Sequence, residues 1–273
     1  MRDNMVDFTS EDLEEIENEV SKEQHRKSEK GFDFSKEEIT SKYTIVCFGL
    51  KGASKTYTSF GITDNKRDVI SFDHKSVMIA SNFFKNENIN VYDGLRYFVE
   101  SSDSTKVSAH KSIDYIMELI NQFNNPEWII IDGYERLSFL AQMEMRYIKN
   151  IGVYEPVGGG NMSFYWYIRN EVLNKIYNFA LGKAKKGVIY TTYIEKEQVI
   201  DNGIIIKSKD VPKWQGDLLT QADIVIKTEN IFDKNIQKFE AIIESSKTPT
   251  IKTGSIYNLT GHKKLREFDE WKL

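Results

Sequence analysis

Short apolar runs of strand length alternate with helical patterns along most of this chain. Many residues in these runs are β-branched or aromatic, and the runs occupy residues 43–48, 68–72, 89–92, 128–131, 187–190, 223–227 and 239–244. Helical patterns lie between them at residues 112–123, 134–148 and 164–181. Because continuously apolar strands are buried on both faces, the alternation predicts an α/β fold with a mainly parallel sheet flanked by helices. Two late hairpin-like elements, at Asn202-Gly203 and after Lys247, predict antiparallel additions at the C-terminal side.

Composition restricts the chain to a few classes of protein. Its 273 residues are 40% hydrophobic, which is enough for one sizeable core. The single cysteine, Cys47, excludes a disulfide framework within the chain and agrees with a reducing compartment. The sequence has no run of about eighteen apolar residues, so no membrane span is expected. A formal net charge of −4 predicts no global attraction to nucleic acid. These features predict a cytoplasmic protein.

The segment after the first predicted strand carries a phosphate-loop pattern. Residues 49–56 read GLKGASKT and fit G-x-x-x-x-G-K-[ST], except that Ser54 stands where the second glycine belongs. In such a loop, backbone N–H groups at a helix N-terminus bind phosphate, the lysine contacts the β- and γ-phosphates, and the hydroxyl binds Mg²⁺. The alternative is an ordinary glycine-containing turn between a strand and a helix. The pattern predicts that ATP is bound by Gly49, Gly52, Ala53, Ser54, Lys55, Thr56 and Tyr57.

A second motif occurs at residues 127–132, where a hydrophobic run ends in Asp132. This is the Walker B arrangement, in which the carboxylate holds Mg²⁺, usually through water. Alone the signal is weak, because many strands end in an aspartate that caps a turn or a helix. Together the two motifs predict that Thr56 and Asp132 are the magnesium-side residues, at the carboxyl edge of the sheet.

The order of these motifs resembles that of a known family. After the phosphate loop come a strand ending in Asp73, the strand ending in Asp132, a glycine-rich loop before an aromatic helix, and a strand that reads VIYTTYIEKE. Over residues 43–260 this layout is similar to the RecA-like P-loop ATPases of phages and archaeal viruses, the ATP-binding Sak group associated with single-strand annealing. The resemblance implies a RecA-like fold, ATP with Mg²⁺ and a homo-oligomer. It also implies a role in recombination, replication or annealing of DNA from a virus or mobile element, in the host cytoplasm if the protein is viral.

The resemblance also indicates catalytic positions, with one departure. RecA has a glutamate two residues beyond the aspartate that ends its second strand, and this glutamate is the base for the attacking water. Lys75 occupies that place here, so Asp73 or Glu135 would have to substitute. Lys55 would contact the phosphates during the reaction. We therefore expect slow hydrolysis, or nucleotide binding without hydrolysis.

Two further regions resemble functional parts of the family. The strand at residues 187–193 matches the one whose end senses the γ-phosphate, which makes Thr192 or Tyr193 the candidate sensor. Residues 244–247 resemble the region that reaches a neighbouring subunit's nucleotide, so Lys247 or Lys252 would make that contact in an oligomer.

Single-stranded DNA is a candidate partner. Three glycines at residues 158–160 precede aromatic residues at 164–167, and a mobile loop with stacking surfaces suits single strands. RecA-like proteins use loops in this general region for that purpose. The alternative is that Phe164 and Trp166 belong to the helix core, where aromatic residues at helical spacing usually pack. The lysines expected to contact phosphates are Lys183, Lys185 and Lys186.

The chain divides into three predicted parts. Residues 1–40 are charged and predict an arm made of one helix and a linker. Residues 41–260 are the predicted RecA-like nucleotide-binding domain, and residues 261–273 are a predicted basic tail.

The main alternative function is a degenerate P-loop module whose nucleotide holds a structure or a partner interface with little or no hydrolysis. Ser54 and Lys75 favour that alternative, and a partitioning or packaging ATPase also fits the motifs.

Overall fold

A computed structural model describes most of the chain. The described residues are 42–101, 104–157, 165–201, 204–213, 218–233, 236–271 and 273. The predicted N-terminal arm and the glycine-rich loop with Phe164 lie outside them. No helix in the described part has the length and apolarity needed to cross a lipid bilayer.

Nine strands and six α-helices are present in the described residues. The strands are β1 (Tyr43–Gly49), β2 (Arg67–Ser71), β3 (Ile89–Asp93), β4 (Trp128–Asp132), β5 (Gly187–Asp201), β6 (Ile204–Pro212), β7 (Ile224–Asp233), β8 (Ile236–Ser246) and β9 (Ile256–Asn258). The helices are α1 (Lys55–Phe60), α2 (Lys75–Phe83), α3 (Thr105–Gln122), α4 (Tyr134–Ile148), α5 (Tyr165–Lys183) and α6 (Leu218–Gln221).

The strands form one sheet in the order β3-β2-β4-β5-β1-β7-β8-β9, with β6 paired to β5 outside this path. The first six strands of that order pair in parallel. β8 is antiparallel to β7 and β9, and β6 is antiparallel to β5. The predicted fold class is therefore confirmed: a mainly parallel sheet flanked by helices, with antiparallel additions at the C-terminal side.

Both faces of the sheet are buried, which explains why the strands are apolar throughout. In β1, Val46 and Phe48 contact the core under α3, α4 and α5, whereas Ile45 and Cys47 contact a second core on the opposite face. That second core includes residues from α1, from the loop after α2 and from the C-terminal segment. The central strand β1, between β5 and β7, is thus fixed on every side.

The C-terminal segment packs onto the domain instead of leaving it. Leu265 begins a short 3₁₀ helix and is fully buried, and Trp271 is nearly so. Nearby, Glu87 accepts hydrogen bonds from Arg67, Lys264 and Arg266. This group of four residues, the Glu87 network, ties the C-terminal segment to the amino end of β2.

Some elements were not predicted from sequence. The helix α2 was missed, because its residues Val77 and Met78 are exposed and give no amphipathic pattern that marks a buried face. β5 runs eight residues beyond Tyr193, where it leaves the parallel sheet and pairs with β6. Its first half is a core strand and its second half belongs to a two-stranded β-ribbon. The spacing of apolar residues therefore differs between the two halves, and no single pattern in the sequence marks the whole strand.

Candidate functional site

The loop that follows β1 is closely packed at its first residue. A Cβ on Gly49 would lie 2.4 Å from the Thr228 hydroxyl and 2.5 Å from the Thr228 carbonyl oxygen on β7. Only glycine fits such a close approach of two backbones. The first glycine of the pattern is thus required by the sheet itself.

Ser54 adopts the backbone conformation for which glycine is preferred. It caps α1 with φ 62° and ψ 24°, in the left-handed region, and its side chain makes no capping hydrogen bond. Its carbonyl oxygen nevertheless accepts the Thr58 N–H, which begins the helix. The loop therefore keeps the conformation that a glycine would take, with the strain of a non-glycine residue.

The Lys55 amine lies inside the loop. It donates hydrogen bonds to the carbonyl oxygens of Gly49 (3.1 Å) and Leu50 (2.9 Å). It also lies 4.2 Å from the centre of the Tyr193 ring. Burial lowers the pKa of Lys55, while the carboxylates of Glu135 and other acidic neighbours act in the opposite direction. The amine is held by neutral oxygens and an aromatic face, which a more strongly charged ligand could replace.

Asp132 is almost fully buried among hydroxyl groups. Thr56 donates to both of its carboxylate oxygens at 3.0 and 3.1 Å, Thr191 donates at 2.6 Å, and Ser76 donates as well. No described lysine, arginine or histidine lies within 4 Å of this carboxylate. Burial raises the pKa of Asp132, and the three hydroxyl hydrogen bonds offset this only in part. The carboxylate therefore has no ion-pair contact in the described part of the protein, and the Lys55 charge acts on it only from a longer distance.

Two acidic side chains near Lys55 differ in their hydrogen bonding. One Asp73 oxygen accepts the backbone N–H of Lys75 at 3.0 Å, in an Asx turn that leads into α2. The Oε2 atom of Glu135 is buried without a hydrogen-bond partner among the described residues. Burial raises the pKa of Glu135, and Lys55 and Lys213 lower it only partly. Asp73, Lys75 and Glu135 all line the same pocket.

The two candidate sensor residues point in opposite directions, because side chains alternate along a strand. Tyr193 lines the pocket together with Thr191. Thr192 is fully buried and donates its hydroxyl to the Lys213 carbonyl oxygen at 2.6 Å. The structure brings Tyr193 to the site and directs the Thr192 hydroxyl elsewhere.

Most of these groups border one pocket of about 670 Å³ at the carboxyl edge of the sheet, whereas Gly49, Ser76 and Thr192 do not line it. Its polar end contains Lys55, Thr56 and Asp132. Its other end is mostly apolar and aromatic, and the side chains there are Tyr57, Ile79, Phe83, Phe239, Leu259 and His262. Of the predicted nucleotide contacts, Gly49 and Ala53 are not among the residues that line this pocket.

The site fits a magnesium ion by its chemistry. Its oxygen donors are the Thr56 hydroxyl and the Asp132 carboxylate, and Mg²⁺ prefers oxygen ligands. The described residues contain no cluster of three His, Cys, Asp or Glu side chains that could hold a metal alone. Mg²⁺ at phosphate sites usually takes one or two protein ligands and completes its shell with water and phosphate oxygens.

The predicted DNA-binding groups are not brought together. Trp166 and Tyr167 lie in the first turn of α5, whereas Lys183 is its last residue, about 25 Å away at 1.5 Å per residue. The Lys183 amine donates to the Asn121 carbonyl oxygen and the Lys186 amine to that of Leu273. The cations beside the aromatic residues are instead Arg169, 4.7 Å from the Trp166 ring, and Lys149, 5.8 Å from the Tyr165 ring.

One of the two candidate lysines for a neighbouring subunit, Lys247, is engaged within its own chain. The Lys247 amine donates to the Thr220 carbonyl oxygen at 3.0 Å, and the Lys247 N–H donates to Asp223. Asp223 in turn accepts the Thr44 N–H at the beginning of β1. This position is at the amino edge of the sheet, opposite the phosphate loop of the same chain.

Several site residues were missed from sequence. Ser76 and Thr191 contact Asp132, yet a single serine or threonine carries no motif. Thr191 could have been found by strand alternation, because it shares a face with Tyr193. Phe83 and His262 come from segments far apart in sequence, and nothing local predicts that they meet.

No family model and no curated protein sequence matches this chain. Among solved structures, a similar one is the KaiC-like protein PH0186 from the hyperthermophilic archaeon Pyrococcus horikoshii OT3. The two share 14% sequence identity over 79% of this chain and 84% of that protein, with a TM-score of 0.45. Within this chain, the loop of residues 49–56 follows the central strand β1, and its Thr56 contacts Asp132 at the end of β4.

Proposed function

We propose that this protein binds ATP together with Mg²⁺ at residues 49–57 and hydrolyses it slowly. One observation carries the proposal: Thr56 of the phosphate loop donates to Asp132, 76 residues later, inside a pocket that also contains Lys55 and Glu135. An ordinary strand-to-helix turn needs no buried carboxylate opposite its first helical hydroxyl. A pocket of about 670 Å³ is also within the usual range for small-molecule sites.

Each residue at the polar end of the pocket would have a separate role in binding Mg-ATP. The loop N–H groups of residues 52–57 and the Lys55 amine would bind phosphate oxygens. Thr56 and Asp132 would hold Mg²⁺, which when bound neutralises charge on the phosphates. Ser76 and Thr191 would keep the Asp132 carboxylate in a fixed orientation through their hydrogen bonds.

For hydrolysis, Glu135 is a better candidate base than Asp73. The Asp73 carboxylate accepts the Lys75 N–H, whereas Glu135 has a buried oxygen that is free of hydrogen bonds to the described residues. A raised pKa also brings a carboxylate closer to the range in which a general base works well. Lys75 contributes no base, which supports slow turnover.

The first experiment tests binding by calorimetry. Lys55→Ala should weaken Mg-ATP affinity at least tenfold, because it removes a charge from two phosphates. Lys51→Ala is the matched control, since this lysine is an exposed pocket residue at a position where the loop pattern asks for no particular side chain. Unchanged affinity in folded Lys55→Ala would refute the phosphate site.

The second experiment separates slow hydrolysis from binding without hydrolysis. Phosphate release in a single turnover should fall about 100-fold or more in Glu135→Gln, with ATP affinity within threefold of wild type. Asp73→Asn is the matched control and should lose less than tenfold. If the wild-type protein releases no phosphate under any condition, the degenerate binding module is the correct function.

The proposed setting is recombination, replication or annealing of viral or mobile-element DNA in the cytoplasm, by an oligomer. It rests on the resemblance in motif order, and single-stranded DNA would bind near the start of α5. Tyr167 is 60% exposed there, and Arg169 and Lys149 lie beside Trp166 and Tyr165. Salt-sensitive anisotropy of a labelled oligonucleotide that is lost in Arg169→Ala with Tyr167→Ala would support this setting. No binding at low salt with ATP and Mg²⁺ would contradict it.

A further inference from the structure

The apolar end of the pocket contains a group of three aromatic rings from distant segments. The Phe83 and His262 rings lie 4.8 Å apart between centres with a 35° tilt. Tyr57 of α1 packs edge-on against Phe83 at 5.5 Å and lies 6.2 Å from His262. We call these residues the aromatic group. It lies next to the phosphate loop, because Tyr57 directly follows Thr56.

Two members of the aromatic group are open to solvent at the pocket. Phe83 is 39% exposed and His262 is also exposed. Large aromatic side chains that serve only as core are usually buried more completely. Both line the pocket that contains Lys55 and Asp132. An exposed ring pair at the end of a phosphate pocket has faces available for another flat ring.

The backbone at His262 is held in an uncommon conformation. Its φ is 66°, in the left-handed region, and Gly261 before it has φ 74°. Strained backbone of this kind persists only where the surroundings fix it, and it is frequent at ligand sites. Here the Tyr57 hydroxyl donates to the His262 carbonyl oxygen. Burial raises the pKa of Tyr57 to about 12, with Glu267 adding to the effect, so this hydroxyl stays a donor at neutral pH.

The segment around His262 is also anchored from its other side. Lys264 and Arg266 both donate to Glu87, and the Arg266 N–H donates to the Gly61 carbonyl oxygen at the end of α1. The last of these contacts fixes the residues after His262 to the end of the helix that carries Thr56. The position of His262 relative to the phosphate loop is therefore set by hydrogen bonds on both sides.

We propose that Phe83 and His262 form the stacking surface for the base of the nucleotide and that they select purines over pyrimidines. This inference rests on the proposed function, since it assigns the second end of the same pocket. Stacking favours the larger ring system, because a purine covers more of the two rings than a pyrimidine does. Ile79, Phe239 and Leu259 line this end with apolar side chains, which favours contact with the faces of a base.

Tyr57 acts in this arrangement as a positioning residue. Tyr57→Phe keeps the ring and removes the hydroxyl that holds the His262 carbonyl oxygen. We expect a smaller loss of ATP affinity than from a change of His262 itself. Because both changes act through the placement of the His262 ring, the additional change His262→Asn should lose less ATP affinity in the Tyr57→Phe background than in wild type.

The test compares ligands that share the phosphates and differ in the base. Affinities of the full chain for Mg²⁺ complexes of ATP, CTP and inorganic tripolyphosphate are measured by calorimetry. His262→Asn removes the ring and keeps a residue that tolerates the left-handed backbone. Phe83→Leu removes the other ring and keeps an apolar side chain. Tyr154→Ala, at an 85% exposed tyrosine that does not line the pocket, is the control.

Wild type should bind ATP about 5- to 100-fold more tightly than tripolyphosphate, with CTP between them. His262→Asn and Phe83→Leu should each lose at least fivefold for ATP and less than twofold for tripolyphosphate, and Tyr154→Ala should match wild type. If Phe83→Leu unfolds at a much lower temperature than wild type, the test rests on His262. In that case His262→Asn should lose ATP affinity, and His262→Tyr, which keeps an aromatic ring, should retain most of it. ATP affinity that is unchanged in the His262 and Phe83 variants, or CTP that binds as tightly as ATP, overturns the base site. A wild type that binds neither ATP nor tripolyphosphate overturns the proposed function instead.

Discussion

Two acidic side chains at opposite ends of the parallel sheet have contrasting surroundings. At the carboxyl edge, Asp132 is enclosed by the hydroxyls of Thr56, Ser76 and Thr191, and burial raises its pKa. At the amino edge, Glu87 is partly buried, but hydrogen bonds from Arg266, Lys264 and Arg67 outweigh that and lower its pKa to about 2. Glu87 has its cations in direct contact, whereas Asp132 has no ion-pair contact among the described residues. The difference indicates that Glu87 stabilises the fold, and it supports our proposal that Asp132 holds a bound cation.

The largest expected effect comes from Glu87→Gln. Arg67 is fully buried and would be left without a carboxylate, so the free energy of unfolding should fall by about 3–4 kcal/mol. Urea unfolding measures this, with the exposed Glu118→Gln as control, expected to change stability by less than about 0.5 kcal/mol. If Glu87→Gln lowered the free energy of unfolding no more than Glu118→Gln does, Glu87 would not stabilise the fold as the comparison requires.

The acid response of the same network should be nearly as large. The folded pKa of Glu87, about 2, lies below its ordinary value of 4.5. Its contribution is therefore complete above pH 4.5 and is lost as the pH falls toward 2. After solvent screening it amounts to about 2–3 kcal/mol. Urea midpoints of wild type and Glu87→Gln should approach each other between pH 5 and pH 3 and meet only near pH 2. A constant difference over that range would show that Glu87 does not titrate as expected.

Asp132→Asn should give the opposite sign in stability. Neutralising a buried carboxylate that has no described counter-ion should raise the free energy of unfolding, measured without metal, by about 1–2 kcal/mol. The same change should reduce the gain in ATP affinity on adding Mg²⁺ by about tenfold or more, which is about 1.4 kcal/mol. If Asp132→Asn reduced ATP affinity equally with and without Mg²⁺, Asp132 would have only a structural role, as Glu87 has.

Ser54→Gly should have the smallest effect and tests strain at the carboxyl edge. Glycine takes φ 62° without the steric penalty of a Cβ atom, so stability should rise by about 1 kcal/mol. Asn125, near the amino edge with φ 48°, is the control, because asparagine tolerates this region and Asn125→Gly should gain less than about 0.5 kcal/mol. Equal shifts in thermal midpoint would mean that strain is not concentrated at the phosphate loop.

The parts that could be predicted from sequence are those that local patterns determine. Strand burial on both faces produces continuous apolar runs, and the loop of residues 49–56 carries a pattern of its own. The contacts of Asp132 with Ser76 and Thr191, and the aromatic group, depend on which strands become neighbours, which no local pattern specifies. The assumed proximity of Lys183 to the aromatic start of α5 failed for a simpler reason: a helix of 19 residues separates its two ends.

The pairing of β1 also determines when the phosphate loop can form as the chain is made. β1 is synthesised first among these strands, yet both of its neighbours, β5 and β7, come much later, and its Thr44 N–H finds its acceptor, Asp223, 179 residues downstream. The second core is completed later still, by Leu265 and Trp271. Loops this long must close before their contacts contribute, which slows folding and leaves apolar strands exposed to other chains. On the ribosome, the apolar strand β1 therefore stays unpaired until most of the chain has been synthesised. We expect a chaperone that covers β1 during this time to raise the yield of folded protein.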